Sequence, residues 1–377
     1  MIDPTQRAQD FPGLTSMCYL NTAAESIPPV CVGEALQDYW RDKLRGMKGR
    51  EGHFARVECC REISAAWLGL APAEIGFCSC SAEAYNLLAT AIDLRAGDEV
   101  VISDLDFPSG ATPWLAGARR HTVRVWRNRD GDLDAHDLPP LLNARTRLVQ
   151  VSLVSFFNGQ RIEWKPFRDA VRRYAPNALI AVDVTQALGR IPLDCGDADC
   201  IISSTHKWTL GIHGGCIIGI PQARAGELTT RAGGWFHLDN AFDADRFDRV
   251  AIKKGAASWA TGMPNFAALY ALDASLRYLA TVGIEKISAH ADPLTGRVQQ
   301  GLLQLGLKPM VSWSPKNPSG IIAFRHPRTA EIHAALEREN IHVMHHAGRV
   351  RIAVHAYNTA DNIAHFLAVL GQAVAAG

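Results

Sequence analysis

The stretches Val100-Val101-Ile102 and Leu179-Ile180-Ala181-Val182 are apolar without a break, and this constrains the fold of the chain more than any other feature. A strand with one wet face alternates apolar and polar residues, so an unbroken run marks a strand covered on both faces. Seven segments read as strands: residues 75–79, 99–103, 122–126, 148–154, 179–184, 200–203 and 216–220. Helical periodicity occupies 82–92 and 165–174 between them. That alternation gives an α/β architecture with a mostly parallel seven-stranded sheet, which binds ligands beyond the carboxyl ends of its strands.

The texture changes near Pro264. A helical stretch from 266 to about 306, expected to break at Gly283 and Pro293, leads to a strand at 320–325 and a helix at 329–340. A strand at 349–354 and a closing helix at 359–376, capped by Thr359, complete the chain. This is a small C-terminal α+β domain. The expected division is a large domain over 16–263 and the small one over 264–377, with segment 1–15 packing near the latter.

A formal net charge of +1 lacks the basic excess that would neutralise a phosphate backbone, so no nucleic acid is expected as a partner. No apolar run approaches the ~20 residues that span a bilayer, so no membrane is expected either. The first residues carry no signal-type apolar segment, which makes a cytoplasmic location the expectation. Nine cysteines with no C-x-x-C spacing read as small buried residues; no metal site is expected.

Five segments carry possible chemistry. Ser204-Thr205-His206-Lys207 follows an apolar strand and leads into the glycine-rich 211–215. A lysine in a loop of small residues suits an amine of lowered pKa, able to join a carbonyl cofactor; an exposed loop lysine is the competing account. The hydroxyls of Ser204 and Thr205 and the His206 ring are natural phosphate donors. Asp183 ends an apolar strand, where a carboxylate needs a partner. A pyridinium nitrogen would satisfy it, and so would a helix cap. Gln186 lies one turn on. At Ser81-Ala82-Glu83 a helix begins after a strand, and its free N–H groups suit a phosphate; a serine-capped helix is the plain alternative. Phe107 follows a strand and suits a ring-stacking place, or the core. Arg351 lies in an apolar strand and needs a carboxylate, from a substrate or from the protein.

These segments, in this order, resemble class V of the aminotransferase fold family, which includes cysteine desulfurases, selenocysteine lyases, kynureninases and isopenicillin N epimerase-like enzymes. The anchors are Asp183 with Gln186, Ser204 with His206 and Lys207, and Arg351 with Tyr357-Asn358-Thr359. The resemblance implies fold type I, pyridoxal 5′-phosphate (PLP) as cofactor, an amino-acid substrate and a homodimer. It implies that Lys207 holds the cofactor as a Schiff base and moves protons. Asp183 would meet the pyridine nitrogen and Gln186 the ring oxygen, with Phe107 stacked on the ring. Ser81, the Ala82 amide, Ser204 and His206 would bind the phosphate, and Arg351 the substrate carboxylate.

The chain departs from the family in three places. Desulfurases carry a catalytic cysteine shortly before the arginine matched by Arg351, whereas residues 341–349 here contain none. Phe156-Phe157-Asn158-Gly159-Gln160 is closer to kynureninases, and puts Asn158 among the expected substrate contacts. Met263 stands where a threonine of the family reaches a neighbouring subunit's phosphate. Trp235, opening a long irregular segment, is a further expected substrate wall. The leading expectation is a lyase that eliminates a β-substituent, across a C–S bond or another, without a catalytic cysteine. An aminotransferase, an amino-acid epimerase and a non-catalytic binding homologue are the alternatives.

Overall fold

In the computed structural model, which describes residues 2–116 and 121–376, the seven expected strands form one sheet. The chain opens with α1 (Pro4–Asp10), β1 (Cys18–Tyr19), α2 (Val30–Lys43) and α3 (Arg50–Leu68). Then come β2 (Ile75–Cys78), α4 (Ser81–Ala91), β3 (Glu99–Ser103), α5 (Pro108–Leu115), β4 (Thr122–Trp126), β5 (Thr146–Ser152), α6 (Trp164–Tyr174), β6 (Leu179–Asp183), β7 (Cys200–Ser204) and β8 (Cys216–Gly219). The strand order is β2-β8-β7-β6-β5-β3-β4. Antiparallel pairing is confined to β8, against β2 and β7; the remaining pairs are parallel.

The unbroken apolar runs are explained by two cores, one on each face. Val101, Val149, Val151, Ile180, Val182, Ile201 and Ile217 point to one face with Val57, Phe167 and Leu269 from α3, α6 and α7 (Phe266–Val282). Their neighbours Val100, Ile102, Leu148, Ala181, Ile202 and Ile218 point to the other, with Leu88 of α4 and Trp114 of α5. Each such side chain contributes roughly 1.5–3 kcal/mol on burial. β4 forms one edge, and its Thr122 and Arg124 are correspondingly polar.

After α7 the chain continues through α8 (Ile284–Gln304), β9 (Ile321–Arg325), α9 (Thr329–Arg338), β10 (Ile341–His342), β11 (Met344–His346), β12 (Arg349–Ala353) and α10 (Ala360–Ala375). The antiparallel sheet β11-β12-β9 packs against α8, α9 and α10 through Val298, Leu302, Phe324, Ile332, Ile352 and Phe366. Thr359 caps α10 in a capping box with Asn362. The amino-terminal segment joins this lobe: β1 pairs in parallel with β10, and Cys18 and Leu20 enter its core.

One expectation needs correcting. Pro293 does not end a helix but lies inside α8. Burial of Ala291, Leu294, Thr295 and Val298 on one face carries the helix past a residue that costs about 3 kcal/mol in a helix interior. Helix α7 packs on α2 and α3 and sends Leu269, Leu272 and Leu276 into the sheet's core. We therefore propose Gly283, with φ 88°, as the hinge between lobes rather than Pro264. Across that divide the fully buried Arg190 donates Nε–H to Val354 O at 2.8 Å and forms an ion pair with Asp292 at 2.8 Å.

Candidate active site

Five parallel or co-directed strands of the large sheet end at one cleft of ≈ 500 Å³. Its lining brings together Ser81 after β2, Phe107 after β3, Phe156 after β5, Asp183 and Gln186 after β6, and Ser204, His206 and Lys207 after β7. Val154 and Thr185 line it too, and the sequence reading gave them no role.

Lys207 is the cleft's amine. Burial, aided by the positive charge of Arg351, pulls its pKa down to about 8 against the opposing pull of Asp183. Its Nζ lies 5.3 Å from the centroid of the Phe107 ring, which meets Phe156 edge-on at 4.9 Å. These two aromatics form an apolar wall beside the amine. Phe107 is aimed by Asp106, whose buried carboxylate accepts from Ser103 N–H at 3.0 Å and Ser152 N–H at 2.6 Å, tying the ends of β3 and β5 together. Burial raises the Asp106 carboxyl to about 6.

Asp183 is satisfied from behind, accepting Tyr85 O–H at 2.7 Å on Oδ2 and Thr185 N–H at 2.7 Å on Oδ1. Carboxylate lone pairs remain for a group in the cleft. Gln186 accepts Trp208 Nε1–H at 2.6 Å and donates to Ala23 O at 3.0 Å, which leaves it one N–H.

At the other end, Cys80 Sγ accepts the Glu83 N–H at 3.4 Å as the cap of α4. Among the described residues no acceptor is assigned to the Ser81 or Ala82 N–H, so both amides and the helix dipole are available to an anion. Ser204 lines the cleft as well. Thr205 does not: its hydroxyl donates to Ile212 O and Gly215 O, 3.0 Å each, and holds the glycine loop. His206 is half-buried, its ring held down to about 4 by burial, then by Lys207 and His213. It stacks on His213 with centroids 3.9 Å apart and planes at 21°, and His213 meets Glu25 at 2.7 Å. These three residues bring possible ligand atoms within 4.8 Å of one another. Within the cluster the hydrogen bond is His213 to Glu25, and His206 joins by stacking.

Arg351 is 2 % exposed on β12 and donates from Nη1 to Phe156 O at 2.6 Å. Its Nε and Nη2 are buried without a partner, and no ion pair to it exists among the described residues. The internal salt bridge weighed from sequence is therefore absent there. Burial and the neighbouring Arg349 pull its pKa down to about 9. A guanidinium fork with two free nitrogens has the chemistry to pair with a carboxylate.

Four expected residues are not among the cleft's lining: Ala82, Arg351, Asn158 and Trp235. Asn158 is buried, with Nδ2 donating to Gly131 O at 2.7 Å and Oδ1 accepting Gln160 N–H at 3.0 Å; its amide holds a turn rather than a substrate. Trp235 packs against Phe236 and Phe242, ring centroids 5.7 Å apart in each case, and is not part of the lining.

The model of the family described as "Aminotransferase class-V" matches residues 18–366, and the chain belongs to that family. The chain is 27 % identical over 365 residues to an uncharacterized aminotransferase of Bacillus subtilis (strain 168), covering 96 % of each. It is 26 % identical over 406 residues to a probable cysteine desulfurase of Pseudomonas putida, covering 99 % of this chain and 98 % of that one. A solved cystine C–S lyase in complex with its product, cysteine persulfide, superposes with a TM-score of 0.87 at 21 % identity over 96 % of this chain and 99 % of that one. The chain is thus an enzyme of the class-V aminotransferase family, and a solved mutant of the same C–S lyase, 21 % identical with a TM-score of 0.88, carries a PLP cofactor. The residues present fit that group: a depressed amine, a carboxylate with free lone pairs, an aromatic wall and unengaged helix amides converge on one cleft.

Proposed function

We propose that this member of the class-V aminotransferase family is a PLP-dependent lyase that expels a β-substituent from an amino acid, foremost across a C–S bond, and needs no protein thiol to do so. The observation that carries this reading is the segment ahead of Arg351. There β11 turns through Ala347-Gly348 into β12 as a short hairpin, and residues 341–349 contain no cysteine. All nine cysteines lie at or before Cys216, and the exposed one, Cys80, caps α4 at the anion end. Desulfurase and C–S lyase relatives support sulfur chemistry without fixing the substrate.

When bound, PLP supplies a carbonyl that joins the substrate amine and a protonated ring that delocalises the electron pair left at Cα. This chain's residues do the rest. Arg351 would take the α-carboxylate on Nε and Nη2, the two nitrogens left without a partner. Lys207, with a pKa near 8, is neutral often enough at neutral pH to accept the Cα proton. Asp183, with carboxylate lone pairs left for the cleft, would meet the ring nitrogen and keep it protonated. Phe107 and Phe156 exclude water from one side. Ser81, Ala82, Ser204 and His206 hold the phosphate and anchor the assembly.

A second copy of this chain is part of the proposal. Phe242, Phe247 and Val250 stand 83 %, 88 % and 67 % exposed, and Met263 and Asn265 line a groove of ≈ 670 Å³ that also includes Ser79 and Glu83. A cytoplasmic location is proposed on nine free cysteines and no disulfide. Among the described residues no helix is long and apolar enough to cross a membrane.

The test is product analysis on PLP-loaded protein with β-substituted amino acids, in heavy water and without any keto acid. Ammonia, a keto acid and the released substituent are expected. Deuterium at Cα without breakdown would replace this reading with an epimerase or aminotransferase.

A further inference from the structure

Asp183 and Gln186 line the cleft at the end of β6, and behind each stands a buried aromatic donor. Tyr85, 1 % exposed on α4, gives its O–H to Asp183 Oδ2 at 2.7 Å. Burial and that carboxylate push the phenol well above its ordinary value, so it stays a donor. Trp208, fully buried, gives Nε1–H to Gln186 Oε1 at 2.6 Å.

An indole N–H can only donate, so the Gln186 atom that meets it must be the oxygen. The amide orientation, usually ambiguous, is thereby fixed. Nε2 points the other way, with one hydrogen on Ala23 O and one left for the cleft. Trp208 itself cannot turn. The His355 ring stacks on it at 5.5 Å and 21°, and His355 Nε2–H donates to Trp208 O at 2.9 Å. The tautomer follows from Ala356 N–H, which donates to Nδ1 at 2.6 Å. Gly320 makes room for the indole, since a Cβ there would come within 2.5 Å of Cη2.

We propose that Tyr85 and Trp208 are positioning residues that fix what the cofactor ring meets: an anionic acceptor at its nitrogen and an N–H donor at its oxygen. The inference rests on PLP occupying this cleft. Donation from Tyr85 stabilises the Asp183 carboxylate as an anion, which leaves the shared proton on the ring nitrogen rather than on Asp183. Donation from Gln186 stabilises the anionic ring oxygen, which lowers the pH at which the bound chromophore titrates.

The experiment compares PLP-loaded wild type, Tyr85→Phe, Trp208→Phe and Gln186→Glu by absorbance titration and by ¹⁵N NMR of ring-labelled PLP. Trp208→Phe frees the amide to turn and should raise the chromophore midpoint by about one pH unit, the worth of one charge-assisted hydrogen bond. Gln186→Glu keeps Trp208 in place but sets an oxygen where the N–H was, so it should raise the midpoint at least as far even if Trp208→Phe fails to fold. Tyr85→Phe should move the ring nitrogen resonance toward neutral pyridine while shifting the midpoint less. Midpoints within about 0.2 units of wild type in Gln186→Glu, together with an unmoved nitrogen resonance in Tyr85→Phe, would overturn the inference alone. A wild type that takes up no PLP chromophore would overturn the reading beneath it as well.

Discussion

Replacing Arg351 with Met should stabilise the empty protein while crippling it toward amino acids. The guanidinium is buried without a carboxylate, and two of its nitrogens have no partner. Its pKa falls from 12.5 to about 9. At 1.36 kcal/mol per unit, that corresponds to a penalty of order 5 kcal/mol at most for holding the charge in the fold. The penalty is complete below the folded value near 9 and fades only as the pH rises toward 12.5, so it is constant between pH 6 and 8. Met fills most of the volume without a charge, at the cost of about 1 kcal/mol for the hydrogen bond to Phe156 O. The net gain is therefore at most about 4 kcal/mol, corresponding to a rise in Tm of at most about 5 °C for a chain of this length. With substrate the balance reverses: a lost desolvated carboxylate pair costs about 2–5 kcal/mol, or roughly 30- to 5,000-fold in kcat/KM. The assay pairs calorimetry of the substrate-free variant with kinetics on an amino acid and on its decarboxylated amine. Only the amino acid should suffer. A fall in Tm together with an equal loss on both substrates would refute the argument, because it would make Arg351 a structural residue.

Further expectations concern the rest of the site. Cofactor attachment to the empty protein should accelerate with pH around a midpoint near 8 rather than 10.5, because the neutral Lys207 amine is the reactive form; a stopped-flow pH series reads this. In Arg351→Met the midpoint should rise, since one cause of the depression is removed. Asp106→Ala leaves the Ser103 and Ser152 N–H groups without an acceptor and should cost about 2–5 kcal/mol by urea unfolding. Arg190→Met strips Asp292 and Val354 O of their partner and should cost about 3–5 kcal/mol, seen as a lowered Tm.

The large sheet was legible because strands buried on both faces must be apolar throughout, and each of the seven expected runs is a strand. Helix α3 was not legible: the residues it buries include His53, Cys60, Ser64 and Ala65, so the 3.6-residue period is faint. Lys207, Asp183 and Arg351 could be picked out because a charge at the end of, or inside, an apolar strand needs a reason. Asn158 misled because an asparagine after two phenylalanines looks the same in sequence whether it holds a turn or a ligand; only the nearness of Gly131 decides. Tyr85 was passed over since a tyrosine on the inner face of a helix reads as core. That its hydroxyl meets a strand end 98 residues away is a tertiary fact.

The most direct test of the account is to load the protein with PLP, reduce it with borohydride and map the modified peptide by mass spectrometry. The account predicts a single pyridoxyl group on Lys207. A pyridoxyl group on any other lysine, or none at all, would contradict it.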